Sequence, residues 1–276
     1  MAKERLDVLL IERDLCTSRS LAQKLIMAGE VCVNGQPHFK PAEKIDRQAV
    51  IALTSGPRFV SRGGEKLQAA LDVFKPSIKS RICADVGAST GGFTDCLLQA
   101  GAAKVYAIDV GYGQIALKLR NDERVMLMER TNARYIERLP DSIDLVTIDA
   151  SFISLKILLQ VANKWLDPLK GGIIALVKPQ FEAGRKITGR GKGVILDENV
   201  HKAVVTEILE FSSSLGLIPV GLIYSPLTGP KGNREFLIHL MRQTTGPPGI
   251  SALLEDCFST KQDAPGGNKP GLTPGL

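Results

Sequence analysis

Of two lysines and two acids placed around the expected sheet, two stand where charge is expensive. Asp149 follows an apolar run in "LVTIDASFISL", and Lys178 follows another in "IIALVKPQFE". A charge at the end of a buried strand is tolerated when it is paired. Lys66 lies near the start of a helical stretch in "SRGGEKL", and Glu235 opens the last apolar run in "GNREFL". Taken singly, each lysine reads as half of a surface salt bridge. As a set they read as proton-transfer machinery. A lysine accepts a proton once burial or a neighbouring cation lowers its pKa, and an adjacent carboxylate can orient it.

A second constellation is the glycine-rich string "DVGASTGGF", Asp85 to Phe93, between the apolar run Ile82–Ala84 and a helical pattern. Such a turn lets backbone approach a nucleotide-like ligand. A triphosphate loop would need a lysine after Gly92, where Phe93 stands, and a dinucleotide fingerprint would need glycine at Ser89. The acid-x-Gly opening followed by small residues fits S-adenosylmethionine best. Asp85, Gly87, Ala88, Ser89, Gly91, Gly92 and Phe93 are therefore the candidate cofactor loop, with Phe93 also suited to packing the helix. Asp109, 22 positions after Gly87, ends the next strand, where a carboxylate can accept from both ribose hydroxyls. That spacing also serves NAD proteins. In "ERTNAR", Asn132 is the expected partner of the adenine.

The elements that must position these groups alternate. Strands are expected at Ile82–Val86, Val105–Val110, Val125–Met128, Ile143–Ile148 and Ile173–Val177, with two more near Leu217–Tyr224 and Glu235–Met241. Helices are expected at Glu65 to about Phe74, between the strands, and from Glu198 to about Leu215. This order predicts an α/β, Rossmann-like, mostly parallel seven-stranded sheet over 65–245. The string "SGPRFVSRGGEKL" marks a linker at 58–64. After Thr245 the chain is rich in Gly and Pro. The stretch 246–276 is therefore expected to be a largely mobile tail, in which "ISALLED" forms a turn or two of helix.

Residues 1–57 form a small α+β unit of their own. "RLDVLLIERD" carries a helical stripe, Thr17 or Ser18 can cap a second helix that stops at Gly29, and "VCVNG" enters an Asn34-Gly35 hairpin turn. Through "TSRSLAQKLIMAGEVCVNGQPHFKPAEKI" this unit resembles the RNA-binding domain named after ribosomal protein S-four. The resemblance implies an RNA face containing Arg5, Arg19, Lys24 and Lys40, with Lys3 and Arg13 nearby and Arg62 in the linker.

The chain also resembles FtsJ/RrmJ-type ribose 2′-O-methyltransferases, whose Lys-Asp-Lys-Glu tetrad matches Lys66, Asp149, Lys178 and Glu235. The strings "SRGGEKL", "DVGASTGGFTD", "AIDVGYGQ", "ERTNAR", "DASFISL", "VKPQFEAG" and "GNREFL" look like the TlyA family, which joins an S-four-type domain to such a catalytic domain. This implies methylation of cytidine 2′-hydroxyls in ribosomal RNA within ribosomal subunits, with S-adenosylmethionine as donor and no metal. It also implies Lys178 as proton acceptor oriented by Asp149, with Lys66 and Glu235 positioning the hydroxyl. Some members of the family carry the name haemolysin.

Bulk properties agree. A net charge of +6 and a pI near 9.1 suit a polyanionic partner. Five scattered cysteines without a CxxC pair argue against a disulfide framework and a structural zinc. No apolar run in the chain is long enough to span a membrane. Together with the charged start "MAKERLDVLLIERD", this points to a cytoplasmic protein with no membrane partner. Two rivals remain open at this point: an RNA-binding assembly factor that holds the cofactor without turnover, and a membrane-lytic protein.

Overall fold

The computed structural model describes residues 3–54, 58–183, 194–229 and 232–259. The chain divides into two compact units between Ser61 and Arg62, inside the stretch expected to be a linker.

The first unit is built from β1 (Lys3–Arg5), α1 (Leu6–Glu12), α2 (Arg19–Met27), β2 (Val31–Val33), β3 (Gln36–Pro37), β4 (Lys44–Asp46) and β5 (Ile51–Leu53). Leu6, Leu9 and Leu10 of α1 meet Ala22 and Ile26 of α2 in a shared core with Val31 and Val33. Ser18 caps α2 by accepting from the Leu21 N–H at 3.2 Å, which satisfies one of the free donors of the first turn. Gly29 ends it with φ +76, where a Cβ would press on the Phe39 ring, the usual place for glycine after a helix. Asn34 and Gly35, both at positive φ, turn β2 into β3, and β5 pairs on the other side of β2. The paired strands β1 and β4, three residues each, carry too short a pattern to stand out in sequence.

Asp7 is the electrostatic centre of this unit. Its carboxylate is fully buried and accepts from the Arg5 guanidinium at 2.8 and 2.9 Å, Arg19 Nε at 3.1 Å and Gln23 Nε2 at 3.0 Å. The Arg5 hydrogen bonds outweigh the burial and hold the carboxyl well below the usual range.

The second unit contains α3 (Gly63–Phe74), β6 (Ile82–Val86), α4 (Gly92–Gln99), β7 (Lys104–Ile108), α5 (Leu117–Arg120), β8 (Val125–Met128), β9 (Leu145–Ile148), α6 (Leu155–Trp165), β10 (Gly172–Val177), α7 (Pro179–Glu182), α8 (Glu198–Ser214), β11 (Ile218–Tyr224), β12 (Phe236–Met241) and α9 (Ile250–Ser259). The sheet order is β11-β12-β10-β9-β6-β7-β8. Strands β6 to β10 pair in parallel, and β12 lies between β10 and β11, antiparallel to both. Every residue of β10 is buried, as befits a central strand covered on both faces.

Two expectations change. α3 begins at Gly63, inside the expected linker, rather than at Glu65. Residues 250–259 of the expected mobile tail form a helix that buries Leu253, Leu254, Cys257 and Phe258, part of the main core. An apolar stripe at helical spacing outweighs the flanking glycines and prolines there. The rest of the tail, 260–276, lies outside the described residues.

At the end of β6, Asp85 is fully buried and accepts from Thr94 Oγ1 of α4 at 2.7 Å and Thr147 Oγ1 of β9 at 3.1 Å. Burial pushes its pKa up to about 7.

These buried carboxyls lead to two expected outcomes. Asp7→Ala strips Arg5 and Arg19 of their shared partner and costs the first unit about 2 kcal/mol, read as faster amide exchange over residues 3–54. Asp85 is protonated more readily folded than unfolded, so its contribution to stability is full below the ordinary carboxylate pKa and declines as pH rises toward about 7. The urea midpoint of Asp85→Asn should therefore gain on wild type between pH 4 and pH 7, and a constant difference would refute this assignment.

Candidate functional site

Connections from β6 run to β7 and β8 on one side, whereas β9 and β10 lie on the other. The crevice of such a sheet opens beyond the carboxyl ends of its strands at this reversal. A cleft of about 790 Å³ lies there, lined by Gly87, Ser89, Asp109, Asn132, Asp149 and Phe152 among others. Gly87 has φ +84, and a Cβ on it would come 2.6 Å from the Asp149 carbonyl oxygen. Glycine is required there for two reasons, the backbone conformation and the close approach of the β9 exit.

Asp109 is held by backbone. The Ser89 N–H donates to Oδ2 at 2.8 Å and the Gly111 N–H to Oδ1 at 2.7 Å. A carboxylate has further lone pairs on both oxygens, so it can still accept from a vicinal diol. Asn132 Oδ1 accepts from the Arg134 N–H at 3.0 Å, which fixes its side chain at the cleft wall.

The expected cofactor loop divides into two groups. Gly87 and Ser89 line the cleft with Asp109 and Asn132. Asp85, Ala88, Gly92 and Phe93 are buried and shape the turn from within, and Gly91 caps α4 at φ +94 where a side chain would overlap Leu119.

Beside this cleft the four charged residues form two pairs. Lys178 Nζ lies 2.6 Å from Asp149 Oδ1 and donates to Ser151 Oγ at 2.9 Å. Lys66 Nζ lies 2.6 Å from Glu235 Oε2. Lys178 and Glu235 are almost completely buried, at 8% and 2% exposure. Pairing is what makes their charge tolerable. Gln180 joins the pairs. It follows Lys178 through Pro179, and its Nε2 reaches Glu235 Oε1 at 3.5 Å. Gly229 leaves the space that this carboxylate fills, since a Cβ there would overlap Oε1.

Ser151, Gln180 and Glu182 are site residues that sequence reasoning missed. Glu182 accepts from Ser154 Oγ at 2.8 Å and the Leu155 N–H at 2.7 Å. All three sit in strings already singled out, "DASFISL" and "VKPQFE", but contacts between a loop and a one-turn helix leave no periodic signal. Among the expected RNA residues, Lys24 and Lys40 are exposed on the first unit, and Arg62 is exposed at the start of α3. Arg5 and Arg19 are engaged by Asp7, with 37% and 54% of their side chains still exposed.

Residues 59–242 match the FtsJ-like methyltransferase family, and residues 4–51 match the S4 domain. A Bacillus subtilis protein named "Putative rRNA methyltransferase YqxC" is 48% identical, over 95% of this chain and 94% of its own length. The Mycobacterium tuberculosis "16S/23S rRNA (cytidine-2'-O)-methyltransferase TlyA" is 44% identical, over 88% and 91% respectively. Among solved structures, "Putative hemolysin from Streptococcus thermophilus" superposes with a TM-score of 0.71 at 42% identity, covering 94% of this chain and 95% of that one. The family match spans the sheet that shapes the cleft and carries both lysine–carboxylate pairs, and these similarities extend over nearly the whole chain. It therefore belongs to the FtsJ-like methyltransferase family, with an S4 domain ahead of the methyltransferase unit.

Proposed function

We propose that this protein transfers the methyl group of S-adenosylmethionine to a ribose 2′-hydroxyl of cytidine in ribosomal RNA, in the cytoplasm. The observation that carries the reading is the double pair Lys178–Asp149 and Lys66–Glu235 beside the cleft that Gly87 and Asp109 open. The activity named for the Mycobacterium relative supports the choice of ribosomal RNA and of cytidine. Among the described residues no helix is long and apolar enough to cross a membrane.

The cleft fits the cofactor by size and by chemistry. Its volume of about 790 Å³ falls within the range of small-molecule sites. Asp109 offers acceptors for a ribose diol, Gly87 and Ser89 supply backbone beside it, and Asn132 gives a polar edge for the adenine. Bound there, S-adenosylmethionine supplies a methyl group already activated on sulfonium. The residues of this chain handle the proton and the alignment. The amine form of Lys178, its Nζ fixed by Asp149 and Ser151, would present its lone pair to the ribose hydroxyl. Nζ would take the proton of the 2′-hydroxyl as the methyl carbon exchanges its bond to sulfur for one to that oxygen, S-adenosylhomocysteine leaving, and Asp149 would stabilise the ammonium formed. Lys66, fixed by Glu235, holds the hydroxyl from the other side.

The first unit docks the RNA through Lys24 and Lys40, and the second unit carries the chemistry. Arg5 and Arg19 contribute RNA contacts through the part of their side chains left exposed by Asp7.

The test is transfer of labelled methyl to unmodified small and large ribosomal subunits. Wild type should label RNA, and Lys178→Ala should lose about a hundredfold or more in rate while still binding S-adenosylhomocysteine. Undiminished labelling by Lys178→Ala would remove the proposed acceptor. No labelling by wild type, with cofactor and RNA binding intact, would favour an assembly factor. Gly229→Ala should also lower transfer by about tenfold or more and lower the melting temperature as well, because the added methyl displaces the buried Glu235 carboxylate from Lys66.

A further inference from the structure

The short helix α7 reaches far more of the site than its length suggests. Lys178, at its N-cap, binds Asp149 and Ser151. The Phe181 ring meets the Phe152 ring with centroids 5.2 Å apart. Glu182 holds the Ser154 hydroxyl and the Leu155 N–H with its two carboxylate oxygens. The loop 149–154 is thus fastened to α7 at its start, middle and end, in chain order on both sides.

That loop is a shared wall. Asp149, Ala150, Ser151, Phe152, Ile153 and Ser154 all line the cofactor cleft, and Asp149 and Ser151 also hold the Lys178 amine. Its conformation is not one the chain would adopt unaided. Phe152 has φ +65 and is 91% exposed. A bulky residue therefore sits in a left-handed conformation with little burial to compensate. A strained residue persists where its surroundings over-determine it. Here the anchoring comes from α7. Glu182 is not needed to start α6, because Ser154 Oγ already accepts from the Lys156 N–H as N-cap. Its carboxylate fixes where the loop ends.

We propose that Glu182 is a positioning residue that couples cofactor affinity to turnover, by fixing the loop shared between the cleft and Lys178. The inference rests on the S-adenosylmethionine-dependent reading given above. Glu182 touches no reacting atom in this scheme. Its loss lets the loop drift, which widens the cleft wall and slackens Asp149 and Ser151 about the lysine together.

The experiment compares Glu182→Ala, Glu182→Gln and Glu207→Ala, the last removing an exposed partner of Lys156 on the same helix α6. S-adenosylhomocysteine binding is measured by calorimetry, methyl transfer by kcat and cofactor KM, and folding by thermal melting, all on the full chain. Glu182→Ala should bind S-adenosylhomocysteine about tenfold more weakly and lose about a hundredfold in kcat, with a melting temperature close to wild type. Glu182→Gln keeps one acceptor and should fall between, and Glu207→Ala should change neither quantity. The proposal is overturned if Glu182→Ala binds and turns over as wild type, if only one of the two quantities moves, or if both losses track a fall in melting temperature in Ala and Gln alike. An inactive wild type would instead defeat the underlying reading, so the two failures are distinguishable.

Discussion

Asp149 and Lys178 leave adjacent parallel strands at the same edge of the sheet, and neither can be placed there alone. Strands β9 and β10 are buried along their whole length, and the chain then delivers an acid and a lysine to the edge where both strands end. The two charges lie 2.6 Å apart on strands in fixed register. Each offsets the desolvation of the other, which ties the geometry of the site to the pairing of the sheet. A strand slip that moved one partner would leave the buried charge of Lys178 unpaired. The same constraint sets Gly87, because the backbone at the β9 exit passes too close to β6 for any side chain. Placing the pair correctly therefore also opens the cleft.

The alternation of apolar runs with helical patterns made the sheet and its helices legible, since strands buried on both faces read as continuous Val, Ile and Leu. Asp149 and Lys178 were legible for the converse reason, that charge beside such runs is conspicuous, and Lys66 and Glu235 through the resemblance to the tetrad. What stayed hidden depends on contacts between segments distant in sequence. "DVGASTGGF" announces a ligand-approaching turn, but only the folded chain separates Gly87 and Ser89, which face the cleft, from Asp85 and Phe93, which support it. Glu182 looks like an ordinary surface acid until α7 is seen against the 149–154 loop. The helix Ile250–Ser259 was obscured by averaging over a segment rich in glycine and proline, although Ile250, Leu253, Leu254, Cys257 and Phe258 keep a helical spacing.

In the small first unit, charge organises packing as well as surface. Asp7 sits at the start of α1 and gathers Arg5, Arg19 and Gln23 from two elements. A domain of this size buries a limited apolar area, so a satisfied polar centre that fixes the approach of α1 and α2 carries unusual weight. Two arginines that basic composition alone would assign to a polyanion partner thus have a structural duty first, and Lys24 and Lys40 are left as the less encumbered cations of the expected face.

The position of β12 has a consequence for biosynthesis. This strand closes the gap between β10 and β11, and it brings Glu235 to Lys66 from the far end of the methyltransferase unit. A polypeptide still emerging from the ribosome can assemble β6 to β10 and the entire cofactor cleft while lacking one of its four charged side chains. Such a nascent chain has the cleft and one lysine–carboxylate pair but lacks the second. The second lysine–carboxylate pair therefore forms late, with the strand that completes the sheet.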